Sequence, residues 1–429
     1  MTKASLTLGT AATALALALP ALAQDTGNVI FLHPDGAGAN HWMAARIHQV
    51  GPDGELNWDR LPEMGVYTGH MKDQLTGTSH GGATVHAYGV KVAADSFGKD
   101  GTTDLTAASG QAMSLAEEAM AAGKALALVQ TGNIAEPGTA AFVASVDDRG
   151  DEVTIARQVI ESGAQVILSG GERNLLPAGT TGRHGEGVRE DGVNLIQRAE
   201  ELGFTVVYTR EELLALDPAA VEKVLGVFAL DHTFNDSPAE RNAIDGLPHY
   251  VETAPTLAEM TDFALKVVSR DAEGFFAVIE EEGTDNMANS MNAAGTLAAL
   301  ARADAAIGVA HGFVQANPDT LLLTTADSDA GGMQVLTGSN APAGGAVAIT
   351  TSGGGILKGQ QGALGDVFVS APDRAGVQHP FGLAFVGTND VAGGILVRGA
   401  GLNAERIQPL MDSTEVYGLM RETLIGPAS

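Results

Sequence analysis

The chain has 429 residues, no cysteine, and a formal charge of −28 from 52 acidic against 24 basic residues, only 8 of them lysine. Its 45% hydrophobic content is ample for a packed core, to which disulfides contribute nothing. So acidic a balance argues against a nucleic-acid-binding surface and against docking on anionic membranes, and it resembles proteins of saline habitats, where dissolved salt screens self-repulsion.

Residues 1–23 read as a signal peptide. Lys3 supplies a positive start, "LTLGTAATALALALP" an apolar run, and "ALA" before Gln24 a small-x-small cleavage site. No later stretch reads as a bilayer span, and the absence of cysteine leaves no lipoprotein anchor. A periplasmic or secreted protein without a membrane anchor is expected, with one domain over 24–429.

Along that domain, segments of helical apolar spacing alternate with short continuous hydrophobic runs. "SGQAMSLAEEAMAAGK" precedes "ALALVQTG", "EVTIARQVIESGA" precedes "QVILSGG", and "GVNLIQRAEELG" precedes "FTVVYT". Further on, "LAEMTDFALKVVSRDAEG" leads into "FFAVIEEEG", and "AAGTLAALARADAAIGVAHGF" into "DTLLLTTADSD". This pattern predicts an α/β fold, a central largely parallel β-sheet flanked by helices on both faces. Residues 171–250, richer in Gly, Pro and charge, are expected as an irregular insertion or cap near the sheet edge.

Several hydrophobic runs end in carboxylates. "NVIFLHPDG" reaches Asp35, "LALVQTGNIAEPG" reaches Glu136, "FFAVIEEEGTD" carries Glu280 and Asp285, and "TLLLTTADSD" carries Asp327 and Asp329. Parallel strands would deliver these acids to one edge, where open α/β sheets bind ligands. Gathered carboxylates repel one another unless cations sit between them, so a multi-metal site is expected.

The stretch "TGTSHGGATVHAYGVK" adds a hydroxyl, Ser79, followed by small residues that let ions and an anion approach a helix start. Metal coordination would make that hydroxyl a nucleophile. Read locally, Thr78 or Ser79 serves equally well as a helix cap. Arg149, in "ASVDDRG", is either a bidentate oxyanion clamp or a surface partner of Asp147 or Asp148.

In their order and spacing these motifs resemble the alkaline phosphatase family over nearly the whole chain after the leader. "NVIFLHPDGAG" is similar to the family's opening strand, whose Asp, here Asp35, bridges two metals. "SHGGATVHAYGVK" resembles its nucleophile motif, which implies Ser79 as the phosphorylated serine. "VQTGNIAEPGTAAF" resembles the segment carrying a magnesium-side acid and a hydroxyl, implying Glu136 and Thr139, with Arg149 thirteen residues after Glu136 as the phosphate-binding arginine. The resemblance further implies Glu280, Asp285 and Asp327 as ligands. Where the family keeps histidines, this chain has Asn289, Ser328 and Asp390.

Those substitutions replace imidazole by oxygen, so the expected cofactors are divalent ions, two or three per chain, with Mg²⁺ favoured over Zn²⁺, Mn²⁺ or Ca²⁺. His80 beside the nucleophile, or His379 in "QHPFG", is a candidate replacement ligand. His86 reads as a packing residue and His33 as a donor that orients Asp35. The expected partners are small-molecule phosphate esters and, as one assembly, a homodimer. A phosphodiesterase, a sulfatase, or a binding homologue without turnover are the alternatives.

Overall fold

The computed structural model describes residues 26–337, 357–362 and 367–427; the expected leader lies outside them. The strands of the main sheet are β1 (Asn28–Pro34), β2 (Glu63–Thr68), β3 (Ala125–Asn133), β4 (Val166–Gly170), β5 (Thr205–Val207), β6 (Val224–Val227), β7 (Phe275–Glu281), β8 (Thr320–Thr324), β9 (Ile395–Gly401) and β10 (Leu410–Asp412). Their order is β10-β2-β9-β8-β1-β7-β3-β4-β6-β5. Every pairing is parallel except the two made by β9. The expected α/β architecture is therefore present, and each of the five helix–strand pairs read from sequence forms.

Strands β1 and β7 are buried along their whole length, as expected for a parallel sheet covered on both sides. Strand alternation assigns their side chains to opposite faces. Phe31 meets the ring of His86 in the Ser79–Tyr88 helix, and Phe276 meets Phe142. On the other face Phe275 packs against Phe313 of the Ala293–Ala316 helix. By length and composition that helix could cross a membrane, contrary to the sequence reading, but half of its most apolar window is buried against the protein. Here it is a core helix.

Local signals set the helix ends. Ser114 with Glu117, and Thr256 with Glu259, form reciprocal capping boxes at the starts of Leu115–Ala121 and Leu257–Val268. Residues 171–250 contribute β5 and β6 to one margin of the sheet, joined by short helices and irregular turns. A second sheet of three strands pairs Gln334–Thr337 and Phe368–Val369 with Pro380–Ala384.

Candidate active site

The strands that carry the predicted acids, β8, β1, β7 and β3, are consecutive neighbours and point the same way. Their C-terminal ends bring Asp327, Asp35, Glu280 and Glu136 to one edge of the sheet. Asp35 is fully buried, directly after β1, and is common to two groups of potential ligands. In one, ligand atoms of His33, Asp35 and Asp327 all lie within 4.8 Å of one another; in the other, those of Asp35, Glu282 and Asp285 do.

Hydrogen bonding does not account for this burial. Both carboxylate oxygens of Asp35, Asp327 and Glu280, one of Glu282, and both ring nitrogens of His33 are buried without a hydrogen-bond partner. Buried polar atoms are ordinarily paired, and orphans at this density mark a site built for something else. Burial, then the neighbouring acids, holds the carboxyls of Asp285 and Asp327 well above the usual range; Glu282 is raised in the same way. Burial also pushes Glu280 up to about 7, against the opposing pull of His33. Divalent cations would reverse these shifts, so the donor set fits them.

Ser79 opens the Ser79–Tyr88 helix and is 8% exposed. Thr78, not Ser79, caps that helix: its Oγ1 accepts from the Gly81 amide at 3.1 Å and donates to the Ala94 carbonyl at 2.6 Å. Ser79 is thereby left out of the cap. Gly82 lies against Asp327, where a Cβ would come within 2.4 Å of the aspartate Cβ. Gly138 allows the same closeness on the other side, since a Cβ there would fall 1.6 Å from Glu280 Oε1. Asp327 also lines a cleft with Tyr67, His70, Gly77 and Gly393.

Arg149 pairs with neither Asp147 nor Asp148. Its Nη2 donates to Glu136 Oε2 at 3.2 Å and its Nη1 reaches His80 Nδ1 at 3.2 Å. Burial, then the arginine charge, lowers His80 to about 4, so the ring is neutral and accepts from Arg149 while its other nitrogen faces Asp95 at 3.3 Å. His80 is thus a support for the arginine. The guanidinium side chain stays 41% exposed, with N–H donors to spare for an oxyanion.

The remaining residues divide. Asn289 and Asp390 do meet Asp285, but Asn289 Nδ2 donates to Asp285 at 3.0 Å and to Asp390 at 3.0 Å, while its Oδ1 accepts from the Gly331 amide. An amide turned this way supplies hydrogen bonds to the acids and not a ligand oxygen. Ser328 is buried beside Asp390. Thr139 is buried with its hydroxyl against Gln130 Nε2 at 2.7 Å. His86 bonds the Tyr67 hydroxyl at 2.9 Å, and His379, just before the Pro380–Ala384 strand of the smaller sheet, pairs with Asp373 at 3.0 Å.

Sequence reasoning passed over Glu282 and His232. Glu282 follows β7 two residues after Glu280, so strand alternation already hinted at a shared side. His232 comes from the irregular region, 3.8 Å from Glu136, and no local pattern announces it.

Residues 26–350 match the family model for alkaline phosphatase. The alkaline phosphatase of Escherichia coli (strain K12) is 29% identical over 369 residues, covering 77% of this chain and 75% of that protein. Streptomycin-6-phosphate phosphatase of Streptomyces griseus is 27% identical over 438 residues, covering 92% and 90%. Among solved structures, the alkaline phosphatase of Thermus thermophilus superposes with a TM-score of 0.71 at 22% identity, covering 93% of this chain and 91% of that one. That of the Antarctic bacterium TAB5 gives 0.70 at 20% identity, covering 93% and 98%. At such identities these structures support the fold alone.

Proposed function

This chain belongs to the alkaline phosphatase family of metal-dependent hydrolases, and from that premise we propose that it hydrolyses phosphate monoesters through a phosphoserine at Ser79. The observation that carries this reading is the set of buried, unpartnered carboxylates at one sheet edge, with the Ser79 helix packed against one of them. Asp35 and Asp327 would hold a divalent cation on the serine side, Asp35, Glu282, Asp285 and Asp390 a second, and Glu136, Glu280 and Thr139 a third. Bound there, such ions supply Lewis-acid charge and acidify a coordinated hydroxyl or water.

In the first displacement Ser79 Oγ gives its proton to water and forms a bond to phosphorus as the ester P–O bond breaks. The departing alcohol oxygen takes a proton from water. In the second, water displaces Ser79, releasing inorganic phosphate and restoring the serine hydroxyl. Arg149 holds non-bridging oxygens throughout; Glu136 and His80 fix its direction, and Glu136 balances its charge before substrate arrives. The amides opening the Ser79–Tyr88 helix offer the phosphate further donors.

Release of inorganic phosphate from a chromogenic phosphate ester tests this. It is expected to stop on chelation, to return with individual divalent metals, and to fall roughly a thousandfold or more in Ser79→Ala without loss of the folded state. Normal turnover by that variant would move the nucleophile elsewhere. Faster cleavage of a diester or a sulfate ester would favour those chemistries, and phosphate binding without release would favour a binding homologue. The substrate panel includes streptomycin-6-phosphate, the compound in the name of the Streptomyces griseus relative. Export, supported by the reading of residues 1–23, and a homodimer complete the proposal.

A further inference from the structure

We propose that His33 is itself a metal ligand, giving its Nε2 to the cation held by Asp35 and Asp327, so that nitrogen missing at Ser328 enters the centre from β1. The inference rests on the metal-dependent reading above and extends it to a residue outside the family's ligand pattern as set out for this sequence.

The distances argue for an ion between these groups. His33 Nε2 lies 3.9 Å from Asp35 Oδ1 and 3.8 Å from Asp327 Oδ1. Both separations are too long for N–H···O hydrogen bonds, which run to about 3.2 Å, yet two ligand bonds of about 2.0–2.2 Å meeting at a bent angle span them. An imidazolium serving only as counter-charge to the acids would draw at least one carboxylate into hydrogen-bond range. Neither nitrogen has such a partner, although the side chain is 1% exposed.

The other side of the ring completes the arrangement. His33 Nδ1 faces Glu280 Oε1 at 3.5 Å, because β1 and β7 pair in the register His33↔Glu280. A carboxylate that close to Nδ1, although beyond hydrogen-bond range, electrostatically favours the tautomer with its proton there, which leaves the Nε2 lone pair for the cation. The ring plane is held from both sides: Phe31 stacks at 5.9 Å between centroids and His86 meets it edge-on at 5.7 Å. Rotation away from Asp35 and Asp327 would break those contacts. The consequence is a mixed centre in which the Asp285 side offers oxygen alone, while the serine side offers one nitrogen and so accepts zinc better than oxygen ligation would.

Nitrogen-15 NMR of histidine-labelled, metal-free protein titrated with Zn²⁺ tests this without reference to turnover. The His33 Nε2 resonance, identified by its loss in His33→Leu or, if that variant does not fold, in His33→Gln, is expected to move to the metal-bound range while Nδ1 keeps its proton. The folded variant should bind Zn²⁺ roughly tenfold or more weakly, with a much smaller change for Mg²⁺. A His33 resonance unmoved at Zn²⁺ saturation, or doubly protonated there, overturns the assignment. Ester turnover by such a protein leaves the proposed function standing, whereas a bound His33 in a protein without turnover supports the assignment and removes the function.

Discussion

Glu280 and Glu281 are adjacent on β7 and both fully buried, yet their surroundings are opposite. Strand alternation sends Glu281 toward the Ala293–Ala316 helix, where Arg302 Nη2 and Nε donate at 2.8 and 3.1 Å and Thr131 Oγ1 donates at 3.0 Å. Arg302 in turn sits over the Tyr250 ring, 4.4 Å from its centroid. Glu280, facing the other way, has no hydrogen-bond partner for either oxygen. The chain thus possesses the means to neutralise a buried acid internally and uses it one residue away. The unpaired state of Glu280, shared by Asp35 and Asp327, is therefore a property of the site and not of buried acids in this fold. Glu136 stands between the extremes, paired with an arginine that remains partly open to solvent.

The largest expected effect comes from breaking the satisfied member. Arg302→Leu strands Glu281 as an uncompensated buried charge and should cost about 3–5 kcal/mol in denaturant unfolding. A loss below about 1 kcal/mol would show that internal pairing does not distinguish the two glutamates. Next in size, Arg149→Ala should lower kcat/KM for a phosphate ester by roughly a hundredfold, as loss of a donor to developing charge does, while melting shifts little. An equal effect on melting and on kcat/KM would make the Arg149–Glu136 pair structural.

A smaller effect follows from Glu280 in the metal-free protein. Burial raises its carboxyl from the ordinary 4.5 to about 7 in the folded state, so folding favours the protonated form. Its contribution to stability is fully present below about pH 4.5 and is lost as pH rises through about 7. Glu280→Gln should flatten that limb of the stability–pH curve, and saturating divalent cation should flatten it in the wild type. A limb of unchanged steepness in Glu280→Gln assigns it to other groups. The smallest is Thr78→Ala, expected to cost about 1 kcal/mol by removing the cap of the Ser79–Tyr88 helix. If that variant loses turnover far beyond its stability, the cap also positions the nucleophile.

Much of the site was legible in the chain because its elements are local. The acids Asp35, Glu136, Glu280 and Asp327 stand at or just beyond the ends of hydrophobic runs, and a parallel sheet has only one edge for them to share. Asn289 shows where that reasoning stops: only the family resemblance pointed to it, and the direction of its amide depends on the Gly331 N–H, contributed from far along the chain. His33 was readable as a neighbour of Asp35 and not as a group poised between Asp35 and Asp327.

By itself, then, the amino-acid sequence determined the alternation of helix and strand, the acidic strand ends, and a hydroxyl cap at Thr78 or Ser79, between which the structure chose Thr78. Periodicity, turns and capping act over a few residues, so a short window contains them. Only the tertiary structure decided that β9 runs against its neighbours, that Glu282 joins Asp35, that His232 reaches Glu136, and that one of two adjacent buried glutamates finds an arginine. Those outcomes depend on strand order and on side chains meeting across hundreds of residues, where packing of the whole chain selects the partner.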